Sequence, residues 1–127
     1  MRLPQGGLVE RDRVLGFTFK ENVPDTRNTR VIDIVNSLAE FDLNIQVHDP
    51  EADSDEAFRH YDINIVADTG QLKPGSAVVL AVSHDEYRKG GWDLIAPLLE
   101  GGRGIVFDVN RILDRDAIPD GIHLIRL

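Results

Sequence analysis

Three short segments of the chain carry side chains that could bind an anion or take part in catalysis. Lys20 and Arg27 lie in the polar turn of VLGFTFKENVPDTRNTRVIDIV (residues 14–35), residues 83–85 read SHD, and Arg111 follows a later apolar run. Lysine and arginine in such turns can hold phosphate through their side chains, and arginine can do so with two parallel hydrogen bonds. The three segments therefore indicate a site for a small anionic ligand.

Catalysis and metal binding are not favoured by the other residues of these segments. Residues 83–85 are serine, histidine and aspartate, the residue types of a hydrolase triad. The three side chains of a triad must converge in line, however, and those of sequence neighbours do not. Ser83 with Glu86 three positions later predicts a helix capping box instead. His48 and His84 could bind a metal only if a carboxylate reached both, and no spacing indicates this. We expect no catalytic residue and no metal site in this chain.

The composition limits the class of protein. With 127 residues, of which 42% are hydrophobic, the chain can bury one core and form one domain. A net charge of -8 argues against a nucleic-acid partner. No apolar run approaches the roughly 20 residues that span a bilayer, and the N-terminus lacks the apolar core of a signal peptide. The absence of cysteine excludes a disulfide and a cysteine nucleophile supplied by this chain. We expect a soluble cytoplasmic protein that binds neither nucleic acid nor membrane.

The chain alternates strand-type and helix-type segments. Apolar runs predict strands, and stripes of apolar residues at helical spacing predict helices between them. This alternation predicts a single-domain, three-layer α/β fold with a mostly parallel, Rossmann-like sheet and helices on both faces. Residues 14–127 form the predicted domain, and residues 1–13 are a lead-in or linker. The predicted strands are residues 14–19, 44–47, 63–66, 77–82, 104–108 and 123–126, with helices over 29–41, around 57–58 and from the capping box at Ser83.

Ligands of such a sheet bind beyond the carboxyl ends of its strands. A nicotinamide dinucleotide would need a glycine-rich GxGxxG turn there, and the first strand and its turn contain only Gly16. Asp49 follows the second strand, where a ribose-binding acid would lie, but without the glycines a turn residue is favoured. We therefore expect cationic side chains, rather than backbone amides, to hold the phosphate.

The first segment resembles the opening of the C-terminal domain of the UDP-glucose/GDP-mannose dehydrogenase family. The resemblance continues through VHDP, AVVLAVSHDEYR and IVFDVNRILDR and covers nearly all of residues 14–127. The ENVPDTRNT form is most similar to the branch that oxidises UDP-N-acetylhexosamines to uronic acids for surface polysaccharides. The family pattern G-x-x-[FK]-K-x-x-x-x-D-x-R-x-[ST] appears here as Gly16, Phe19, Lys20, Asp25, Arg27 and Thr29.

The resemblance implies a role for several residues. Phe19 and Lys20 match the pair that contacts the UDP-sugar, Arg111 matches a late arginine that contacts it too, and Arg27 matches an arginine that reaches NAD. Asp25 would orient Arg27 or Lys20, and a plain loop salt bridge explains it equally well. In this family an upstream domain binds NAD, and a central region carries the catalytic cysteine and forms a homodimer.

This chain lacks those upstream domains, so by itself it should not turn over substrate. The resemblance therefore implies the UDP-binding part of a longer enzyme. A non-catalytic α/β interaction or regulatory module is the alternative. A receiver-type module is disfavoured, because it needs a phospho-acceptor aspartate at the end of a central strand, and the predicted central strand, residues 77–82, is followed by serine and histidine. A stand-alone NAD-binding protein is a third possibility, which the missing glycines weaken.

Overall fold

The computed structural model describes residues 11–41 and 43–126 and shows one six-stranded sheet. The strands lie in the order β3-β2-β1-β4-β5-β6, and every neighbouring pair is parallel. The Rossmann-like fold predicted from the sequence is thus confirmed. The strands are β1 (Arg11–Leu15), β2 (Asn44–His48), β3 (Ile65–Val66), β4 (Ala77–Leu80), β5 (Gly104–Asp108) and β6 (Ile122–Arg126).

Helices cover both faces of the sheet because successive strand residues point to opposite sides. Val14 packs in one core with residues of α1 (Val31–Ala39) and α2 (Ser54–Tyr61). Leu15 packs in the other core with residues of α3 (Asp85–Ile95). None of the helices in the described ranges is both long and apolar enough to cross a membrane.

The apolar run of β4 places this strand at the centre, between β1 and β5, as predicted. All four of its residues are buried, which is typical of a parallel strand that helices cover on both faces. From β1 the chain builds outward to β2 and β3, and it then returns across the sheet to β4. The order of the strands therefore reverses between β1 and β4, where an open α/β sheet has its binding crevice.

The first strand begins at Arg11 and ends at Leu15, whereas the sequence predicted residues 14–19. Its start is charged, yet the Arg13 side chain is fully buried. The guanidinium donates to Gln46 Oε1 at 2.6 Å, to both oxygens of Asn44 at 2.7 and 2.9 Å, and to the carbonyl of Lys73 at 2.9 Å. Burial, aided by the charge of Arg11, lowers the pKa of Arg13 to about 10. Because residues 1–10 lie outside the described ranges, a lead-in there stays a prediction.

The strand ends early because Gly16 turns the backbone at a φ of +95°. A Cβ added at Gly16 would lie 2.6 Å from the Cβ of Val82, so only glycine allows the end of β1 to lie this close to the residues that follow β4. Gly16 therefore serves close packing at the crevice.

Helix α3 begins at Asp85, and the predicted capping box at Ser83 is wrong. His84 is the N-cap residue, and its side chain does not cap the helix. The first amide of the helix instead donates to Asn22 Oδ1, from the loop after β1, at 2.8 Å. The helix is also kinked at Gly91, where φ is +51°.

Candidate functional site

The three candidate segments lie along one edge of the sheet, because parallel strands all end at the same edge. Lys20 follows β1, residues 83–85 follow β4, and Arg111 follows β5. Since β4 separates β1 from β5, the axes of these two strands lie about 10 Å apart, which is two strand spacings. Lys20 and Arg111 thus belong to the same edge of the molecule.

Asp49 organises the loops at this edge. Its side chain is fully buried just after β2. One oxygen, Oδ2, accepts the amides of Phe17 at 2.6 Å and Thr18 at 3.2 Å and lies 2.9 Å from His84 Nε2. The other oxygen accepts the amides of residues 51 and 52, which confirms the predicted turn role. Burial alone would raise the pKa of Asp49, but the hydrogen bonds from His84 and Phe17 outweigh burial, and the pKa lies below its ordinary value.

This arrangement does not fit a dinucleotide at the crevice of this chain. In a glycine-rich turn the first amides after β1 face the pyrophosphate. Here the amides of Phe17 and Thr18 donate to Asp49, so a carboxylate of the protein takes the hydrogen bonds that a phosphate would need. These two amides are therefore not available to an anion, which favours side-chain contacts at this edge.

His84 is fully buried, and both of its ring nitrogens are engaged. The amide of Asn22 donates to Nδ1 at 2.8 Å, so the proton of the neutral ring is on Nε2, which donates to Asp49. Neither nitrogen is available to activate a nucleophile, so the structure gives residues 83–85 no triad geometry. His84 instead connects the loop after β1 to the turn after β2.

His48, the last residue of β2, has hydrogen-bond partners that differ from those of His84. Its Nε2 donates to the carbonyl of Ala67 at 3.1 Å, and its Nδ1 lies 2.8 Å from the hydroxyl of Tyr87. Burial lowers the pKa of His48 and raises that of Tyr87, so the ring is neutral and Nδ1 accepts from the tyrosine. The two histidines thus have separate hydrogen-bond partners and structural roles.

Phe19 and Lys20 are exposed on a backbone that the loop itself fixes. The amide of Phe19 donates to the carbonyl of Asp25 at 2.8 Å, and Thr18 Oγ1 donates to the carbonyl of Lys20 at the same distance. The Phe19 side chain nevertheless remains 55% exposed. The loop therefore presents an aromatic ring and an ammonium group without needing to reorder its backbone.

Contacts with two helices fix the rest of this loop. Asn22, at a φ of +61°, exchanges hydrogen bonds with Asp85 at the start of α3. Glu56 of α2 accepts from both the amide and the hydroxyl of Thr26, and this hydroxyl bond is the largest cause of the lowered pKa of Glu56. The loop that carries Lys20 is thus attached to both layers of helices.

Arg27 forms an ion pair with Asp25 on the surface. Its Nε and Nη2 donate to the two carboxylate oxygens at 3.0 and 3.2 Å. The hydrogen bond from Arg27 lowers the pKa of Asp25. A plain loop salt bridge and a carboxylate that orients Arg27 for a ligand would both give this contact, so an orienting role of Asp25 stays a prediction. Arg27 and Asp25 also line an open cavity of about 210 Å³ together with Pro24, Asp53 and Glu56.

Arg111 lies in a turn that Asp108 and Arg126 hold in place. Its φ of +58° is uncommon for a residue with a side chain. The buried carboxylate of Asp108 accepts the amides of residues 112 and 113 at 3.0 and 2.8 Å. From β6, Arg126 Nη2 donates to the carbonyl of Arg111 at 3.0 Å. The position of Arg111 is thus set by two neighbouring strands.

Arg111 lines a cavity of about 340 Å³, here called the arginine cavity. Phe19 and Lys20 are not among the described residues that line this cavity. The sequence did not single out Arg115 or Arg126. The described residues that line the arginine cavity are Arg111, Arg115, Ile118, Leu124 and Arg126.

Comparison with known families identifies the chain. Residues 13–115 match the model of the UDP binding domain of the UDP-glucose/GDP-mannose dehydrogenase family. The chain belongs to this family. Its resemblance to the family, seen first in VLGFTFKENVPDTRNTRVIDIV, is confirmed.

Named relatives of this UDP binding domain are much longer proteins. Protein CapL of Staphylococcus aureus is 43% identical over 114 residues, which are 90% of this chain and 26% of CapL. UDP-N-acetyl-D-glucosamine 6-dehydrogenase of Pseudomonas aeruginosa is 37% identical over 81% of this chain and 24% of its own length. The chain thus spans about a quarter of the curated relatives that it matches.

Solved structures share the fold of this UDP binding domain at lower identity. The NDP-N-acetyl-D-galactosaminuronic acid dehydrogenase from Methanosarcina mazei Go1 superposes with a TM-score of 0.80 at 18% identity, over 93% of this chain and 24% of that one. The UDP-N-acetyl-mannosamine dehydrogenase Cap5O from S. aureus superposes with a TM-score of 0.68 at 18% identity, over 92% of this chain and 26% of that one. These superpositions support the fold alone, and the ligand contacts of individual residues stay predictions.

Proposed function

We propose that this chain is the C-terminal, UDP-binding domain of an NAD-dependent nucleotide-sugar 6-dehydrogenase of the cytoplasm. The full enzyme would oxidise a UDP-N-acetylhexosamine to the uronic acid for polysaccharide biosynthesis. The observation that carries the proposal is the family match over residues 13–115. The relative of P. aeruginosa, named as a UDP-N-acetyl-D-glucosamine 6-dehydrogenase, favours an N-acetylhexosamine as the sugar.

The site residues of this function are Phe19, Lys20 and Arg111, which follow strands that end at one edge of the sheet. Lys20 supplies a point charge to the diphosphate of UDP, and Arg111 can donate two parallel hydrogen bonds to it. The exposed ring of Phe19 supplies an apolar surface to the same ligand. Because the backbone of the loop is already ordered, binding costs less conformational entropy than it would on a mobile loop.

NAD, the hydride acceptor, would be held mainly by an upstream domain. The crevice of this chain does not fit a dinucleotide, since Asp49 accepts the amides of Phe17 and Thr18. Arg27, oriented by Asp25, would reach NAD from this side of the closed enzyme. The chain contains no cysteine, so the nucleophile also belongs to the upstream region, which would form the homodimer. The isolated chain is not expected to be catalytic.

The full-length enzyme provides the test. NAD reduction would be measured with UDP-N-acetylglucosamine, UDP-N-acetylmannosamine and UDP-glucose, in the parent enzyme and in Lys20→Ala. Lys73 is an exposed lysine at the opposite edge of the sheet, just before β4, so Lys73→Ala is the matched control. Lys20→Ala should raise KM for the preferred UDP-sugar while Lys73→Ala does not.

Two results would count against this function. If both variants keep the KM and kcat of the parent enzyme, Lys20 has no role in substrate binding. If no UDP-sugar supports NAD reduction, the chain serves instead as a non-catalytic α/β interaction or regulatory module.

A further inference from the structure

Asn22 lies two residues after Lys20, and its side chain contacts the start of α3. Its Oδ1 accepts the amide of Asp85 at 2.8 Å, and its Nδ2 donates to Asp85 Oδ1 at 3.1 Å. The backbone of Asn22 is left-handed, with a φ of +61°, a region in which asparagine is several-fold enriched. One exposed residue therefore links the loop after β1 to the first residue of the helix after β4.

The start of α3 depends on this long-range link. The first amides of a helix need acceptors, which the side chain of the N-cap residue commonly supplies. His84 is the N-cap residue of α3, but its side chain makes no capping hydrogen bond. Helix α2, in contrast, is capped by its own N-cap residue, Asp53. A local cap would satisfy the helix equally well, whereas a cap from a residue 63 positions away also joins two loops at one edge of the sheet.

The backbone of Asn22 is held as well. Its amide donates to His84 Nδ1 at 2.8 Å, and His84 Nε2 lies 2.9 Å from Asp49 Oδ2. At the other end of the segment, the amide of Thr18 donates to the same oxygen of Asp49 at 3.2 Å. The segment of residues 18–22 is thus fixed at both of its ends.

Lys20 lies within this segment, and only its backbone is held. Thr18 Oγ1 donates to the Lys20 carbonyl at 2.8 Å, whereas the ammonium group makes no hydrogen bond or ion pair with the residues that the structure describes. The place of that charge relative to a ligand is therefore set by the path of the backbone. If the segment loosens, fewer molecules have Lys20 in place for the ligand, and the apparent Kd rises in inverse proportion to that fraction.

We propose that Asn22 is a positioning residue for the nucleotide ligand and that it acts through Lys20. Its contact with Asp85 holds the end of the segment, so Lys20 meets the diphosphate without the loop having to be ordered first. This inference deepens the proposed function and rests on it where the ligand is UDP. Because Asn22 acts through Lys20, its loss cannot weaken binding more than the loss of Lys20 itself.

The critical variant is Asn22→Gly, made in the chain of 127 residues. Glycine adopts a φ of +61° without strain and keeps the amide that donates to His84, so only the two side-chain hydrogen bonds with Asp85 are lost. Asn28→Gly is the matched control. Asn28 is also exposed at a φ of +61° in the same loop, and its side chain makes no hydrogen bond within the described ranges. Lys20→Ala and the double variant Asn22→Gly/Lys20→Ala complete the set.

The first measurement is the Kd for UDP, from amide shifts followed by NMR in each chain. Asn22→Gly should weaken UDP binding by about two- to threefold, and by less than Lys20→Ala does, whereas Asn28→Gly should leave it unchanged. In the Lys20→Ala background, Asn22→Gly should have little further effect, because the group through which it acts is absent. A merely structural role would instead lower the stability of the chain and leave the UDP affinity of the folded molecules unchanged.

The second measurement is hydrogen exchange at the amides of Thr18 and Phe19 in the ligand-free chains. Both amides are hydrogen-bonded, to Asp49 and to the carbonyl of Asp25, and neither is next to the substituted residue. Their exchange should be faster in Asn22→Gly than in the parent chain, because the segment opens more often when one of its ends is released. Asn28→Gly should leave their exchange unchanged.

Three results would overturn the proposal. Asn22→Gly could bind UDP as tightly as the parent chain, or Asn28→Gly could lose as much affinity. The loss caused by Asn22→Gly could also be equal with and without Lys20, which would show that Asn22 does not act through that side chain.

The two proposals can fail separately. If Lys20→Ala weakens UDP binding and Asn22→Gly does not, the UDP-binding function stands and the role of Asn22 is wrong. If the parent chain does not bind UDP at millimolar concentration, the UDP-binding function is wrong. Faster exchange at Thr18 and Phe19 in Asn22→Gly would then still show that Asn22 holds the segment, and unchanged exchange would overturn that role as well.

Discussion

Asp49 and His84 meet at 2.9 Å in the interior, and this contact joins the turns after β2 and β4. The same oxygen of Asp49 accepts the amides of Phe17 and Thr18, immediately before the exposed Phe19 and Lys20. The placement of the candidate substrate residues therefore depends on one buried carboxylate that does not itself face the ligand.

Replacing Asp49→Asn should destabilise the fold. The asparagine side chain has one acceptor oxygen in place of two, so it cannot accept from all the donors that surround Asp49. Its NH2 group would also point at backbone N–H groups that now donate to the carboxylate. The free energy of unfolding should fall by roughly 2–4 kcal/mol, as expected when one partner of a buried charged network is lost. Urea unfolding measures this change, and exposed Asp93→Asn is the control, with an expected change within about 0.5 kcal/mol. Equal midpoints for the two variants would contradict the role given to Asp49.

The same carboxylate should make stability depend on pH. Its pKa is lower in the folded chain than in the unfolded chain, so the unfolded chain takes up a proton first as the pH falls. Its contribution is complete above the unfolded pKa of about 3.9 and is lost as the pH falls through the folded pKa. The difference in unfolding free energy between the parent and Asp49→Asn should therefore shrink below about pH 4. A difference that stays constant down to acid unfolding would refute this.

Arg13→Lys should lower stability without changing ligand binding. The guanidinium donates to Gln46, Asn44 and Lys73 at once, and a lysine ammonium cannot reproduce that planar geometry. We expect a loss of about 1–3 kcal/mol in the free energy of unfolding. Because these partners lie at the opposite edge from Lys20, UDP binding by the folded variant should match that of the parent. Arg59→Lys is the control, and equal stability of the two variants would argue against the buried network.

Gly16→Ala tests the close approach of β1 to Val82. The added Cβ would lie 2.6 Å from the Cβ of Val82, and the positive φ adds backbone strain. Gly101 also has a positive φ, of +65°, but nothing lies within 4 Å of its added Cβ, so Gly101→Ala carries the strain alone. We expect a loss of about 1 kcal/mol at Gly101 and of roughly 2–4 kcal/mol at Gly16, measured by thermal or urea unfolding. Similar losses at both positions would show that the contact with Val82 is unimportant.

The sequence predicted the elements whose signals are local. β5 has the predicted bounds of residues 104–108, although only Val106 and Asp108 in it are buried. β4 occupies the first four residues of the predicted 77–82, because an uninterrupted apolar run is typical of a buried parallel strand. The helix predicted around residues 57–58 is α2, and Asp53 caps it, since its carboxylate accepts the amide three residues later. The family resemblance likewise rests on residues that are contiguous in the chain.

Features that depend on distant partners were not predicted. Charged Arg13 was assigned to a lead-in because its acceptors lie 31 to 60 residues away. The cap of α3 comes from Asn22, which is 63 residues before Asp85. Arg126 joins the arginine cavity only because β5 and β6 are neighbours in the sheet. A single sequence shows none of these pairings.

The proposed function depends on two cationic side chains at the strand ends, Lys20 and Arg111, which are expected to hold the diphosphate of UDP. The decisive experiment is a titration of the chain with UDP, with amide shifts followed by NMR in the parent, Lys20→Ala and Lys73→Ala. We expect saturable shifts at Lys20 and Arg111, binding that is about two- to fivefold weaker in Lys20→Ala, and no change in Lys73→Ala. Shifts that avoid both residues at millimolar UDP, or equal affinities in all three chains, would contradict it.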